Sequence, residues 1–348
     1  SSAIKDWSVQ GNGYLAPTTT RGIIVAASST IGAGGQTTGL TIHGGATTTA
    51  SMYIAGNLGV GTQPAYKLDV AGFINTDVFS GFKQGGSTVL FATSTTGLTG
   101  VGINALANII STSTSVTSGN FNVAMGEGAL RYATSTDYNT AVGYQALQMS
   151  SSGSADNGGS QNTALGYRAL TANTSGSWNT AIGTQSLNAN TTGSLNVAIG
   201  SQSLVFNTTG TSNTAVGYGV SANNTTGGAN TGLGEEALND STTGSNNVAL
   251  GFQAMMNNTS ATNTVAIGYR AAWGNNINFN NRGGVYLGYQ AGYGAQTDSD
   301  YNTLLGYRAG DNITTGAGNI VIGANVAAPI LTGSNQLNIG NLLYGTSV

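Results

Sequence analysis

Asp298 and Asp300 are the two acids whose spacing comes nearest to chemistry. Hydrolysis of a glycan needs two carboxylates at a suitable separation, and residues two apart in an extended chain share a face. The stretch around them is loop-like, however, and reads better as a solvated or cation-touching loop. Glu235 and Glu236 are adjacent, so a strand would send them to opposite faces. Asp6, Asp69, Asp77, Glu127, Asp137, Asp156, Asp240 and Asp311 stand alone. Asp69 has no acid, histidine or serine partner near it and reads as a solvated turn carboxylate. His43 is the single histidine, so any Ser-His-Asp triad or imidazole metal site would have to use it. It lies beside Gly44-Gly45 with no acid nearby and reads as a surface or core-edge residue. The absence of cysteine excludes disulfides and thiolate metal sites. The expectation is a protein with no catalytic residue, no metal and no cofactor.

What the chain does carry is a repeat. Asn139-Thr140-Ala141-Val142-Gly143-Tyr144-Gln145-Ala146-Leu147 returns as Asn162-Thr163-Ala164-Leu165-Gly166-Tyr167-Arg168-Ala169-Leu170, and again in shorter forms. The closing glycines are Gly126, Gly143, Gly166, Gly183, Gly200, Gly217, Gly234, Gly251, Gly268, Gly288, Gly306, Gly323 and Gly340. Most are 17 residues apart, with 23 between Gly143 and Gly166, 20 between Gly268 and Gly288, and 18 between Gly288 and Gly306. A fixed period this short predicts a parallel β-solenoid or β-roll, in which one coil cannot bury its apolar side alone. At about 4.8 Å per coil, some thirteen coils make a rod on the order of 60 Å long.

Within a coil, the residue before the glycine is always apolar, and the residue three before it is mostly Thr or Val. These two share a parity and predict a strand that turns them toward a core. The position between them is Ala or Gly over most of the repeat, which predicts a face closely approached by a neighbouring sheet or chain. Tyr286, Leu304 and Val321 break that column, as if its packing partner changes there. After the glycine, Tyr or Phe leads a short second segment, read as a second strand. Turns such as Asn190-Thr191-Thr192-Gly193 follow, in which Asn and Gly are expected to supply left-handed conformations.

Three decorations of the coil invite function. The tyrosines after the glycines could form a sugar platform, but their repeat with the core favours a stacked aromatic ladder. The Asn-x-Thr sequons at Asn190, Asn207 and Asn224 are explained by turn chemistry and are assigned no glycan. The Thr column could suggest ice binding, but its expected inward direction argues against that.

Composition supports an ordered all-β chain. Only 6% of the 348 residues are charged, which would suit disorder, yet 39% are hydrophobic and recur in register. The nine Lys and Arg are scattered, which argues against nucleic acid. No apolar run is long enough for a membrane helix. The chain opens on Ser1-Ser2, as a processed or trimmed product would.

Three regions are expected: residues 1–50, a β-rich attachment segment; 51–120, a β-rich connector with a degenerate first coil at Val101-Gly102-Ile103; and 121–348, the solenoid. Short β-like runs in the first, Gly22 to Ala26 and Leu40 to His43, are split by glycine turns, and Trp7 and Tyr14 are its apolar anchors. That segment suits either wrapping with other chains or joining the next subunit. Extra residues between Ser150 and Gln161 and between Asn275 and Gly284 mark bulged loops, and Asn338 to Tyr344 reads as a degenerate last coil.

Gly56-Asn57-Leu58-Gly59-Val60-Gly61-Thr62, followed by Pro64-Ala65-Tyr66-Lys67-Leu68-Asp69-Val70-Ala71-Gly72, resembles a segment of bacterial and phage fibre proteins that carry an endosialidase-type self-cleaving chaperone. The repeats, most closely Asn263-Thr264-Val265-Ala266-Ile267-Gly268, are similar to the head repeats of trimeric autotransporter adhesins. The period of 17 is longer than that of the adhesin coil, so the cross-section is expected to differ. No coiled-coil stalk, anchor or chaperone follows Val348, so a chaperone of this type is expected to have been removed or never to have been part of this chain. The resemblance implies an extracellular homotrimeric fibre on a cell surface or virion, structural and adhesive, contacting a surface glycan or receptor. Two other readings stay open: a filament subunit that self-assembles head to tail through its first 50 residues, and a glycan-degrading tailspike.

Overall fold

The computed structural model describes residues 7–9, 15–17, 58–60, 68–70, 82–84, 87–92, 97–107, 120–133, 136–149, 159–274, 280–295 and 299–346. The chain divides into two compact units, Ser1–Ile74 and Asn75–Val348. In the first, Trp7–Val9 pairs antiparallel with Leu15–Pro17, and Leu58–Val60 pairs parallel with Leu68–Val70. Asp69 therefore lies in a strand opposite Gly59 and not in a turn. His43, Tyr14, Asp298, the two predicted strands of residues 22–26 and 40–43, and residues 150–158 and 275–279 of the two bulged loops lie outside the described residues.

The second unit is an all-β parallel solenoid. Three-residue strands stack in order from Thr99–Val101 to Leu337–Ile339, about 17 residues apart, in about twelve coils. The register never slips. Thr180, Ala181 and Ile182 pair with Val197, Ala198 and Ile199, and Thr140 pairs with Thr163 across the longer connection. Val101-Gly102-Ile103 is a coil in register with the rest: Thr99–Val101 pairs parallel with Val123–Met125. Both ends of the ladder are closed by antiparallel strands, Phe82–Gln84 and Ser87–Ala92 at one end and Leu343–Gly345 at the other. Asn338 to Tyr344 is thus a strand and a hairpin return, not a full coil.

The parity of the strands is opposite to the sequence expectation. The alanines, Ala141, Ala164, Ala181, Ala198 and Ala215, are fully buried and face the interior of their own coil. The aliphatic residues on either side face outward: Leu165 is 46% exposed, Ile199 38% and Leu233 50%. The reason is the narrowness of a 17-residue coil. Across from the strand, most coils up to Met255 bury one long apolar side chain, such as Leu147, Leu170, Leu187 or Leu204. Only a methyl fits against it, so the strand contributes Ala.

Where the strand residue changes, its partner changes too. Val220 stands inward where most coils have Ala or Ser, and Gly232 makes room, because a Cβ there would lie 2.5 Å from Val220 Cγ1. Tyr286 replaces Ala in the core and is fully buried, with its ring packed against Gly284 and Gly292. The break in the Ala column is therefore an exchange of large and small across the interior, which conserves volume.

The expected second strand is a succession of turns. Its residues still bond up and down the stack: Gln185 N donates to Tyr167 O at 2.8 Å, and Leu187 N to Ser203 O at 3.0 Å. Gln185 and Leu187 adopt φ of +57° and +48° to do so, and Leu195 adopts +62°. Left-handed backbone thus falls on Leu and Gln, and not on the turn Asn190 and Gly193, at a cost of about 1–2 kcal/mol per residue. Gln185, Leu187 and Leu195 are each held by a backbone bond to an adjacent coil, which is how strain of this kind persists.

Candidate functional site

The closing glycines form one column along the stack. Gly183 has φ of +130°, and a Cβ there would lie 2.6 Å from the carbonyl carbon of Gly200. The same collision recurs from Gly102 to Gly306, coil on coil. Gly323 meets Val326 instead, and Gly340, with φ of +60°, meets nothing within 4 Å. These glycines let backbones stack and offer no side chain to a ligand.

Two buried asparagine columns tie the coils together; the first is not singled out from the sequence, and the second reads there only as turn asparagines. In the first, Asn196 accepts the backbone N–H of Asn213 at 3.0 Å and donates to Gly210 O at 2.9 Å. Asn162, Asn179, Asn213, Asn230 and Asn247 repeat the carbonyl bond. In the second, Asn190, Asn207 and Asn224 donate to the preceding column member and to Gly193, Gly210 and Gly227. The sequon asparagines are thus buried, with their amide nitrogens already engaged. The signal was present in the sequence, since an asparagine opens nearly every repeat.

Several of the described acids hold structural bonds, each at its own corner. Asp137 Oδ1 accepts Asn120 N at 2.6 Å, and Asp300 Oδ1 accepts Arg282 N at 2.9 Å. Gln253 donates to Glu236 at 2.7 Å, and Arg308 pairs with Asp311 at 2.8 Å. No group of three His, Cys, Asp or Glu gathers among the described residues. Burial holds the phenol of Tyr286 well above its ordinary value of 10.0, against the lowering effect of its hydrogen bonds. Asn281 donates to that hydroxyl at 2.7 Å.

The tyrosine column is a stacked ladder on the surface. Phe252, Tyr269, Tyr289 and Tyr307 lie ring on ring at 5.4, 4.9 and 5.1 Å, within about 10° of parallel. Their faces cover one another, so a sugar ring cannot lie flat on the inner members.

The feature that remains is the outward sheet face. One column runs Val142, Leu165, Ile182, Ile199, Val216, Leu233, Leu250 and Ile267, and beside it runs a column of Thr, Val and Ile. The Thr column faces outward and not inward, so the ground given above against ice binding does not hold. Its neighbour is wholly aliphatic, a composition better suited to protein contact than to ordering water. About ten half-exposed aliphatic side chains, at roughly 50 Å² each, already fill the roughly 300–600 Å² of the largest apolar patch on a typical monomer. No protein-family model, curated protein or solved structure matches the chain.

Proposed function

We propose that the protein is a structural and adhesive fibre component, extracellular and without enzymatic activity, whose rod assembles as a homotrimer through the outward aliphatic face. The observation that carries this reading is the unbroken aliphatic column itself. A regularly spaced apolar surface suits self-association about an axis parallel to the rod. The copy number of three comes from the likeness of the repeats to trimeric adhesin heads. The antiparallel strands that close both ends of the ladder, one with a bulge between Phe82 and Lys83, favour a discrete rod over edge-to-edge growth.

The test is the native mass of the soluble chain beside that of Ile199→Lys and Leu233→Lys together. Both residues are exposed in the single chain, so lysine there costs a monomer within about 0.5 kcal/mol. The reading expects three copies for the parent and a folded monomer for the variant. A parent that is monomeric or dimeric overturns it.

A further inference from the structure

We propose that the groove beside Phe206 is a binding subsite for a neutral or amino sugar within a polysaccharide. The proposal rests on the adhesive reading of the rod and gives it a site. The groove is open, about 670 Å³, and is lined by Ala189, Phe206, Asn223, Asp240 and the threonines Thr208 and Thr225. None of these belongs to a strand, so the groove and the aliphatic face are separate surfaces.

Phe206 is 55% exposed and stacks on no other ring among the described residues. Its column neighbours one coil away are Ala189 and Asn223, so no ring covers it as rings cover the inner members of the tyrosine ladder. An aromatic face left open in water offers the C–H face of a pyranose a flat apolar partner. The polar side of the groove is set beside it. Asn223 donates to Asp240 Oδ1 at 2.9 Å, which orients the carboxylate. A carboxylate held in this way, with a carboxamide next to it, can accept from and donate to adjacent sugar hydroxyls. Thr208 and Thr225 direct their hydroxyl protons into the stack, to Thr225 O and Thr242 O at 3.0 Å, and keep lone pairs for a ligand donor. No Lys or Arg lines the groove, and Asp240 repels anions, so uronic or sulfated polymers do not suit it. A few polar groups around an apolar wall is the usual anatomy of a small-ligand site.

The test is affinity electrophoresis of the full chain through native gels containing a mannan, a galactan, a glucan or chitosan, with alginate as the anionic control. The same samples give native mass. Retardation by at least one neutral or amino polymer is expected, and none by alginate. Phe206→Ala should weaken it at least about tenfold, Asp240→Asn should weaken it less, and Phe206→Tyr should retain it, all at unchanged native mass. Equal retardation of Phe206→Ala, retardation by none of the four polymers, or equal retardation by alginate overturns the proposal. Three copies without retardation overturn the groove alone, whereas a retarded monomer overturns the trimeric fibre alone.

Discussion

Replacing Ser241 by asparagine should stabilise the rod, and the reason can be read from the second asparagine column. Asn190, Asn207 and Asn224 each donate to the oxygen of the preceding member, at 2.8, 2.8 and 2.7 Å. Each also donates to the carbonyl of the glycine three residues on, at 2.9, 3.0 and 3.0 Å. At Ser241 the column breaks. Asn224 Oδ1, Ser241 Oγ and Asn258 Nδ2 are all buried without a protein partner. In Ser241→Asn, the new amide nitrogen would reach Asn224 Oδ1 and Gly244 O, and the new oxygen would accept from Asn258 Nδ2. Gly244 O already takes Asn230 Nδ2, as Gly193 O takes both Asn179 and Asn190, so the double acceptance has a precedent in this chain. Three bonds at about 0.5–1.5 kcal/mol each, less about 1 kcal/mol of side-chain entropy, give a gain of about 0.5–3.5 kcal/mol. Guanidinium unfolding of the parent, Ser241→Asn and Ser241→Ala measures it. The alanine variant removes one of the three unpaired groups and should stay within about 1 kcal/mol of the parent. An asparagine variant no more stable than the alanine one refutes the reasoning.

Other consequences follow from single positions. Gly183→Ala places a methyl 2.6 Å from the Gly200 carbonyl at φ of +130° and should cost more than about 3 kcal/mol in a melting experiment. Gly340→Ala, at φ of +60° with no atom within 4 Å, should cost about 1 kcal/mol. A near-equal loss in the two would contradict the stacking role of the glycine column. Tyr286 stays protonated in the fold above the pH at which its unfolded form ionises, so its contribution is intact below pH 10.0 and is lost as pH rises above that. The expected slope is about 1.4 kcal/mol per pH unit for this one group. Tyr286→Phe, itself less stable near neutrality because Asn281 loses its acceptor, should lack that part of the slope in alkaline unfolding. Retention of the full slope would contradict the assignment.

The period, the glycine column and the all-β class were legible because backbone stacking tolerates no side chain where glycines meet, so the sequence repeats there without exception. The direction of the strand was not legible. A period-two pattern gives two faces but does not say which is inside. The usual rule that the larger apolar residues go inward fails here because the coil is too narrow for them. Leu187 held the missing information: a leucine four residues after Gly183, repeated at Leu147, Leu170 and Leu204, already fills the interior. Likewise, the asparagines were noticed as turn formers, whereas their burial makes them the hydrogen-bonded seams of the rod. The left-handed leucines had no signal at all, since propensity places that conformation on Asn and Gly.

The inverted parity also changes how the candidate site is read. Had the aliphatic columns faced inward, the surface would have been Ala and Gly, with little to hold a partner except close backbone contact. With Leu165, Ile199 and Leu233 outside, each coil presents one aliphatic side chain, with a Thr, Val or Ile beside it, at the same position in the register. One coil adds little, but the contact area grows in proportion to the number of coils, because the register never slips. In the proposed trimer, length is what would convert a weak repeated contact into a stable assembly. The sheet face would do the assembling and leave the turns, among them the Phe206 groove, on the outside.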